Sequence, residues 1–156
     1  MSDNESMLRD PALVPLSQQH HTALAFCVLT ERALRSDRSP ETVAKLAEKA
    51  IDRYEIELTN HFAIEEQILF PLIERELGKS PAIGDLIADH RALAHMIDVM
   101  RTEPSDVLLE SFCAKLRGHI RREENELFED IQRHLPALSL AAAGKEIDAR
   151  VVRVCL

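Results

Sequence analysis

Four long stretches of this chain repeat apolar residues every three or four positions, and breaks led by proline separate them. This spacing is typical of helices that bury one face. Ser39-Pro40 and Ser80-Pro81 have the pattern of a capping serine followed by proline in the first helical turn. We therefore predict helices over residues 16–36, 41–77, 82–101 and 105–134. Because their connections are short, neighbouring helices should run in opposite directions, which predicts an all-α, antiparallel up-down-up-down four-helix bundle.

Outside the predicted bundle, which spans residues 13–135, the sequence defines two terminal segments. Residues 1–12 are polar and acidic, and we predict that they form a flexible arm. Residues 136–156 form a C-terminal tail in which 138–145 can make a short helix. The last part of this tail, 151–156, is mostly apolar. It could pack on the bundle, remain disordered, or contact a second copy of the chain or another protein partner.

The charge of the chain limits its partners. The formal net charge is −8 and the sequence pI is about 5.4. An acidic surface repels phosphate backbones and anionic lipid, so neither nucleic acid nor a membrane is an expected partner. The first ten residues lack the basic and apolar regions of a signal peptide, and three scattered cysteines do not form a disulfide framework. These features predict a cytoplasmic protein.

Each predicted helix carries one histidine in the middle of its apolar face. These histidines are His20, His61, His90 and His119, and they follow the same three-to-four spacing as the leucines and isoleucines around them. Two of the helices add a glutamate one turn later, at Glu65 and Glu123. On the fourth helix the stripe continues to Leu127 or Glu126 and then Ile131. Four imidazoles and two carboxylates are thus predicted to converge inside the bundle.

Such a polar set inside an apolar core needs a compensating positive charge. Burial of an isolated carboxylate costs several kcal/mol. A histidine and a glutamate at positions i and i+4 share one helix face, so both can reach the same ion, or the glutamate can bridge two ions. Nitrogen and oxygen ligands without a thiolate suit iron, manganese or zinc. The pattern therefore predicts a pair of metal ions.

Two positions in this set have neighbours that could replace them. His20 and His21 are adjacent, and only one can face the interior; leucines one turn to either side favour His20. Glu124 could replace Glu123, or it could bond to a ligand histidine from outside the metal site, as could Glu66. A single buried histidine is commonly a structural residue, so the prediction depends on the shared phase of all four.

Two segments resemble signature motifs of the hemerythrin-like, cation-binding HHE family. Residues 61–71 read HFAIEEQILFP and are similar to the second-helix motif, and residues 119–128 read HIRREENELF and are similar to the fourth-helix motif. The segments 16–21 (LSQQHH) and 86–90 (LIADH) are similar to the histidine segments of the other two helices. The resemblance covers roughly residues 13–135. It implies two iron ions joined by an oxo or hydroxo bridge, with terminal ligands His20, His61, His90 and His119 and bridging carboxylates Glu65 and Glu123.

The chain departs from the oxygen-carrying members of that family. They have a second histidine one turn after the first on the third helix, where this chain has Ala94, and their fourth-helix acid matches Glu124. A missing nitrogen ligand implies a more open iron. The resemblance thus implies a protein that binds O2, NO or a related small ligand in oxygen or NO sensing or in iron handling. Alternatives are a di-iron oxidase or peroxidase-like enzyme, a metal-dependent interaction module, and a zinc-binding or purely structural bundle.

Overall fold

The computed structural model describes residues 8–153, which form helices and no strand. The helices are α1 (Val14–Ser36), α2 (residues 40–77), α3 (Pro81–Thr102), α4 (residues 106–134) and α5 (Ala137–Arg150). Within residues 8–153, no helix is long and apolar enough to cross a membrane. The all-α prediction is confirmed, whereas the up-down-up-down order of helix directions stays a prediction.

The helix ends follow the residues that the sequence offers as caps. Ser39 accepts a hydrogen bond from the Thr42 amide, and Ser80 accepts one from the Ala82 amide, before the prolines that open α2 and α3. Gly78 ends α2 with a φ of 88°, a conformation in which a side chain would be strained. These local signals explain why the predicted bounds of the first four helices lie close to the observed ones.

Both long helices that carry a glutamate contain π-helical turns. In α2 the α-helical parts Pro40–Arg53, Thr59–Ile64 and Phe70–Leu77 are joined by π turns at Tyr54–Leu58 and Glu65–Leu69. In α4 the parts Asp106–Arg122 and Phe128–His134 flank one π turn at Glu123–Leu127. One π turn therefore begins at each predicted bridging glutamate.

The π turn in α4 changes which residue faces inward. A π turn spans one residue more than an α turn, so the inward position after Glu123 falls five residues later. Phe128 occupies it and is fully buried, whereas Leu127 is half-buried and Glu126 is exposed. The predicted continuation of the stripe is therefore wrong by one position for Leu127 and by two for Glu126.

Helices α1 to α4 enclose two apolar clusters. Helix α1 packs against α2 and α4, and α3 packs against the same two helices. One cluster includes Leu16, Ile68, Leu86 and Phe128; the other includes Cys27, Leu93, Phe112 and Leu116. Along α1, α3 and α4 the predicted ligand histidine lies between residues of these two clusters. The fold therefore places the predicted metal centre in the middle of the bundle.

Both ends of the described chain pack on the bundle. Residues 1–7 of the predicted arm lie outside the described residues, but the Asp10 amide donates to Gln132 and Ala12 is buried. Helix α5 is longer than the predicted 138–145, and it packs on α2 and on Ala12. Of the tail, 154–156 lie outside the described residues. The predicted division into arm, bundle and tail stays a prediction.

The contact between α5 and Ala12 gives a test of this packing. A Cβ at Gly144 would lie 2.7 Å from the Ala12 Cβ and 2.9 Å from its Cα, so the backbone would have to move. We expect Gly144→Ala to lower the free energy of unfolding by about 1–3 kcal/mol. Gly84→Ala is the control, because nothing lies within 4 Å of that position; it should stabilise by about 0.5–1 kcal/mol. Equal effects of the two changes in chemical denaturation would contradict the packing.

Candidate metal centre

The six predicted ligand side chains lie together in the interior of the bundle. His20 is on α1, His61 and Glu65 are on α2, His90 is on α3, and His119 and Glu123 are on α4. The four histidines are between 1% and 4% exposed, and both glutamates are 0% exposed. The structure thus places every member of the predicted set in one buried cluster.

The carboxylate of Glu65 contacts three of the imidazoles. Its Oε1 atom lies 3.2 Å from the Nε2 atom of His90, 3.3 Å from that of His61 and 4.0 Å from that of His119. A single carboxylate oxygen therefore faces three ring nitrogens, each from a different helix.

Glu123 has an equivalent position on the opposite side. Its Oε1 atom lies 2.9 Å from the Nε2 atom of His20, 3.3 Å from that of His119 and 3.7 Å from that of His61. Two sets of potential ligand atoms result, one formed by Glu65, His90, His119 and Glu123 and one formed by His20, His61 and Glu123. Because both sets include Glu123, the arrangement has the form of two adjacent cation sites with a shared carboxylate.

The outward nitrogen of each of the four predicted ligand histidines is hydrogen-bonded. Each Nδ1 atom lies 2.9–3.2 Å from a side-chain oxygen of the next helix around the bundle. The pairs are His20 with Glu124, His61 with Gln19, His90 with Glu66, and His119 with Asp89. A proton on Nδ1 leaves the Nε2 lone pair free to bind a cation, so these partners fix the ring orientation and the tautomer that metal binding needs.

These outer partners form a closed ring around the bundle. Each stands next to a predicted ligand in the sequence: Gln19 precedes His20, Glu66 follows Glu65, Asp89 precedes His90, and Glu124 follows Glu123. Each of the four helices therefore supplies predicted metal ligands from one face. From the adjacent face it supplies the hydrogen-bond partner of the histidine on the next helix. Sequence reasoning considered Glu66 and Glu124 for this role but missed Gln19 and Asp89. The only sequence feature that marks Gln19 and Asp89 is a polar side chain next to a predicted ligand. Such a neighbour is too common to identify a hydrogen-bond partner by itself.

The centre leaves six buried polar atoms without a hydrogen-bond partner among the described residues. They are the Nε2 atoms of His61, His90 and His119, both carboxylate oxygens of Glu65, and Oε2 of Glu123. Burial of an unsatisfied polar atom costs about 1–3 kcal/mol. Since all six are nitrogen or oxygen atoms of the residues that form the two ligand sets, metal cations bound there would compensate their burial. The residues present therefore fit a nitrogen- and oxygen-coordinated metal.

The pKa values of the two carboxyl groups are shifted in opposite directions. Burial, reinforced by the negative charge of Glu123, raises the pKa of Glu65 well above its ordinary value. Burial also opposes ionisation of Glu123, but contacts with Glu65 and His119 hold the pKa of Glu123 well below its ordinary value. Two facing carboxyl groups without a cation thus resist carrying two negative charges, and a bound cation would remove that resistance.

Aromatic rings close the sides of the centre. Phe62 stacks on the His90 ring with 3.9 Å between ring centroids, and Phe128 stacks on the His20 ring with 5.5 Å between centroids. Phe128 reaches this position because of the π turn in α4. These rings exclude bulk water and strengthen the electrostatic interactions inside the site.

The alternative residues lie outside the cluster. His21 is exposed, whereas its neighbour His20 is buried. Glu124 bonds to His20 Nδ1, to Ser17 and to Arg9, which places its carboxylate on the outer side of the histidine. Ala94, one turn after His90, has no ligand atom to offer.

Four packed helices around a buried set of imidazoles and carboxylates define a helical protein with a cation-binding interior. The model of the hemerythrin HHE cation binding domain matches residues 13–131, and the chain belongs to this family. The family prediction is confirmed.

The chain is also similar to curated proteins named for iron–sulfur cluster repair. The iron-sulfur cluster repair protein YtfE of Yersinia pestis (strain Pestoides F) and that of Yersinia pseudotuberculosis (serotype O:1b, strain IP 31758) are each 34% identical to it over 90 residues. Each match covers 46% of this chain and 40% of the relative, so the chain spans less than half the length of these proteins. No solved structure gives a significant match.

Proposed function

We propose that this chain holds a non-haem di-iron centre that binds O2, NO or a related small ligand, in oxygen or NO sensing or in iron handling. One observation carries the proposal: four histidines, each held at Nδ1 by a neighbouring helix, direct Nε2 toward two buried carboxylates. His20, His61, His90 and His119 would be terminal ligands, and Glu65 and Glu123 would bridge the two ions. In this proposal the helices alternate in direction and the protein acts in the cytoplasm.

Iron is the preferred metal in this proposal. The donor set of nitrogen and oxygen atoms also suits manganese and zinc, so ligand chemistry alone does not choose between them. The name of the YtfE relatives refers to iron–sulfur clusters, which favours iron for the part of the chain that they match. When bound, iron would supply an exchangeable coordination position for a small ligand.

The protein residues would prepare that position. The bonds from Glu124, Gln19, Glu66 and Asp89 would orient the imidazoles and favour the tautomer that metal binding needs. Phe62 and Phe128 exclude water from the two sides that they cover. Ala94 leaves free the place where the oxygen carriers have a further histidine. A dry site with an open position suits the binding of a small diatomic ligand.

Azide binding to the oxidised, iron-loaded protein tests the open position. We expect near-ultraviolet bands of an oxo-bridged iron pair, and we expect azide to change them because it enters the exchangeable position. NO added to the reduced protein should also change the spectrum. Bands that stay unchanged with both ligands would contradict the proposal of a ligand-binding site. Steady consumption of O2 or peroxide with an added reductant would indicate the oxidase or peroxidase alternative.

A further inference from the structure

The Gln19 side chain connects a predicted metal ligand to the C-terminal segment of the chain. Its Oε1 atom lies 2.9 Å from the Nδ1 atom of His61. Its Nε2 atom donates to the Asn60 Oδ1 atom at 3.0 Å and to the Val152 carbonyl oxygen at 3.1 Å. The buried Gln19 amide thus uses both of its ends, one toward the centre and one toward the tail.

The two acceptors on the tail side fix the orientation of the Gln19 amide. Only the NH2 group can donate to both the Val152 carbonyl and the Asn60 oxygen, so the Gln19 oxygen must face the imidazole. His61 therefore donates from Nδ1, and its Nε2 lone pair points toward Glu65. The contacts of the tail therefore favour the metal-binding tautomer of His61.

Asn60 completes a clamp on the same segment. Its Oδ1 atom accepts from the Val152 amide at 2.9 Å, and its Nδ2 atom donates to the Arg150 carbonyl at 2.9 Å. Gln19 and Asn60 together bind the amide and the carbonyl of Val152. Rotation of either side-chain amide by 180° would place acceptor against acceptor, so all of these bonds form together or fail together.

The partners of the other three histidines differ from Gln19 in kind. Glu124, Glu66 and Asp89 are carboxylates, which accept from an imidazole in either rotation and have no donor to offer a third group. Gln19 is the one amide in the ring of partners, and among the described residues it is the partner that also holds the C-terminal segment. Among the described residues, His61 is therefore the ligand histidine whose partner is an amide that also donates to a distant part of the chain.

We propose that Gln19 is a positioning residue for His61 and that it couples metal binding to the docking of the C-terminal segment at Arg150–Val152. This inference rests on the proposed metal centre. With a cation on Nε2, His61 must donate from Nδ1, and the Gln19 amide is held with its NH2 toward Val152. Without a cation, His61 can also take the other tautomer and donate to Glu65, and Gln19 then loses one of the three hydrogen bonds that hold it against the segment. Because coupling is reciprocal, a docked segment also raises metal affinity.

Hydrogen exchange at the Val152 amide measures the coupling. In the full-length protein, ferrous iron added without oxygen should slow this exchange by about tenfold, within the usual range of coupling between two sites. Gln19→Leu should abolish the change and weaken iron binding by about 10- to 100-fold, which is typical of losing a partner of a ligand histidine. Gln18→Leu is the matched control, because Gln18 is the adjacent glutamine and is exposed. It should behave like the unaltered protein.

Two further variants separate positioning from coupling. Gln19→Glu keeps an oxygen for His61 but sets a carboxylate against the Val152 carbonyl, so exchange at Val152 should become fast in both states. Iron affinity should fall by only about fivefold, which is the contribution of the docked segment, and by less than in Gln19→Leu. Val152→Pro removes the amide that donates to Asn60 and places a ring carbon against the Asn60 oxygen, while the extended backbone of Val151 tolerates a following proline. It should weaken iron binding by about fivefold through the tail alone.

The outcomes distinguish this inference from the proposed function. Iron that binds normally to Gln19→Leu, with Val152 exchange the same in loaded and iron-free protein, would overturn the coupling and leave the metal centre intact. Loss of iron affinity in Gln19→Glu equal to that in Gln19→Leu would overturn the separation of the two roles. An unaltered protein that takes up no metal would overturn the proposed function and the inference with it.

Discussion

Replacing Glu65 with leucine is expected to shift stability in opposite directions with and without metal. Glu65 is a fully buried carboxyl with neither oxygen hydrogen-bonded to a described residue, so without iron its burial would be uncompensated. A buried polar group without a hydrogen-bond partner costs about 1–3 kcal/mol, and an apolar side chain of similar size would remove that cost. In the presence of iron, the same change removes a bridging ligand, and the stabilisation by metal, about 4 kcal/mol at a thousandfold excess over Kd, is lost.

Chemical denaturation of both proteins, with and without iron, checks this inversion. Glu74→Leu is the matched control, since Glu74 is an exposed residue on the same helix. It should change stability by a similar small amount in both conditions. If Glu65→Leu had the same sign in both conditions, Glu65 would have a structural role and would not be a metal ligand.

His20→Ala is expected to remove metal that His21→Ala retains. The two residues are adjacent, but His20 directs Nε2 toward Glu123 while His21 is exposed. Loss of an outer hydrogen-bond partner of a ligand typically lowers metal affinity by about 10- to 100-fold. Loss of the ligand itself should lower the affinity for one of the two ions by more than that. Iron per chain after removal of loosely bound metal, compared for the two variants, gives the result. Equal metal content in both variants, or selective loss in His21→Ala, would contradict the assignment.

The helices and their inward faces could be predicted because local signals determine them. Ser39 and Ser80 cap the helices that they were expected to cap, and each histidine has the phase of its apolar neighbours. Phase also favoured His20 over His21, because leucines flank His20 by one turn on either side. Periodicity and capping act within a few residues of the chain, so they can be seen in the sequence.

Other features depend on contacts between distant segments, and the sequence did not predict them. The π turn at Glu123 moves Phe128 into the position expected for Leu127 or Glu126, and no residue in α4 marks it in advance. The role of Gln19 depends on Asn60 and on Val152, which lies 133 positions away. The length of α5 depends on its packing against α2 and Ala12. Such contacts become visible only when the helices are placed against one another.

The iron content of the purified full-length protein tests the central claim most directly. Expressed with iron and kept from chelators, the protein should carry about two iron ions per chain, one for each of the two overlapping ligand sets. Its oxidised form should show near-ultraviolet bands of a bridged iron pair. No stoichiometric metal, or about one zinc ion per chain with a featureless spectrum, would contradict the di-iron centre.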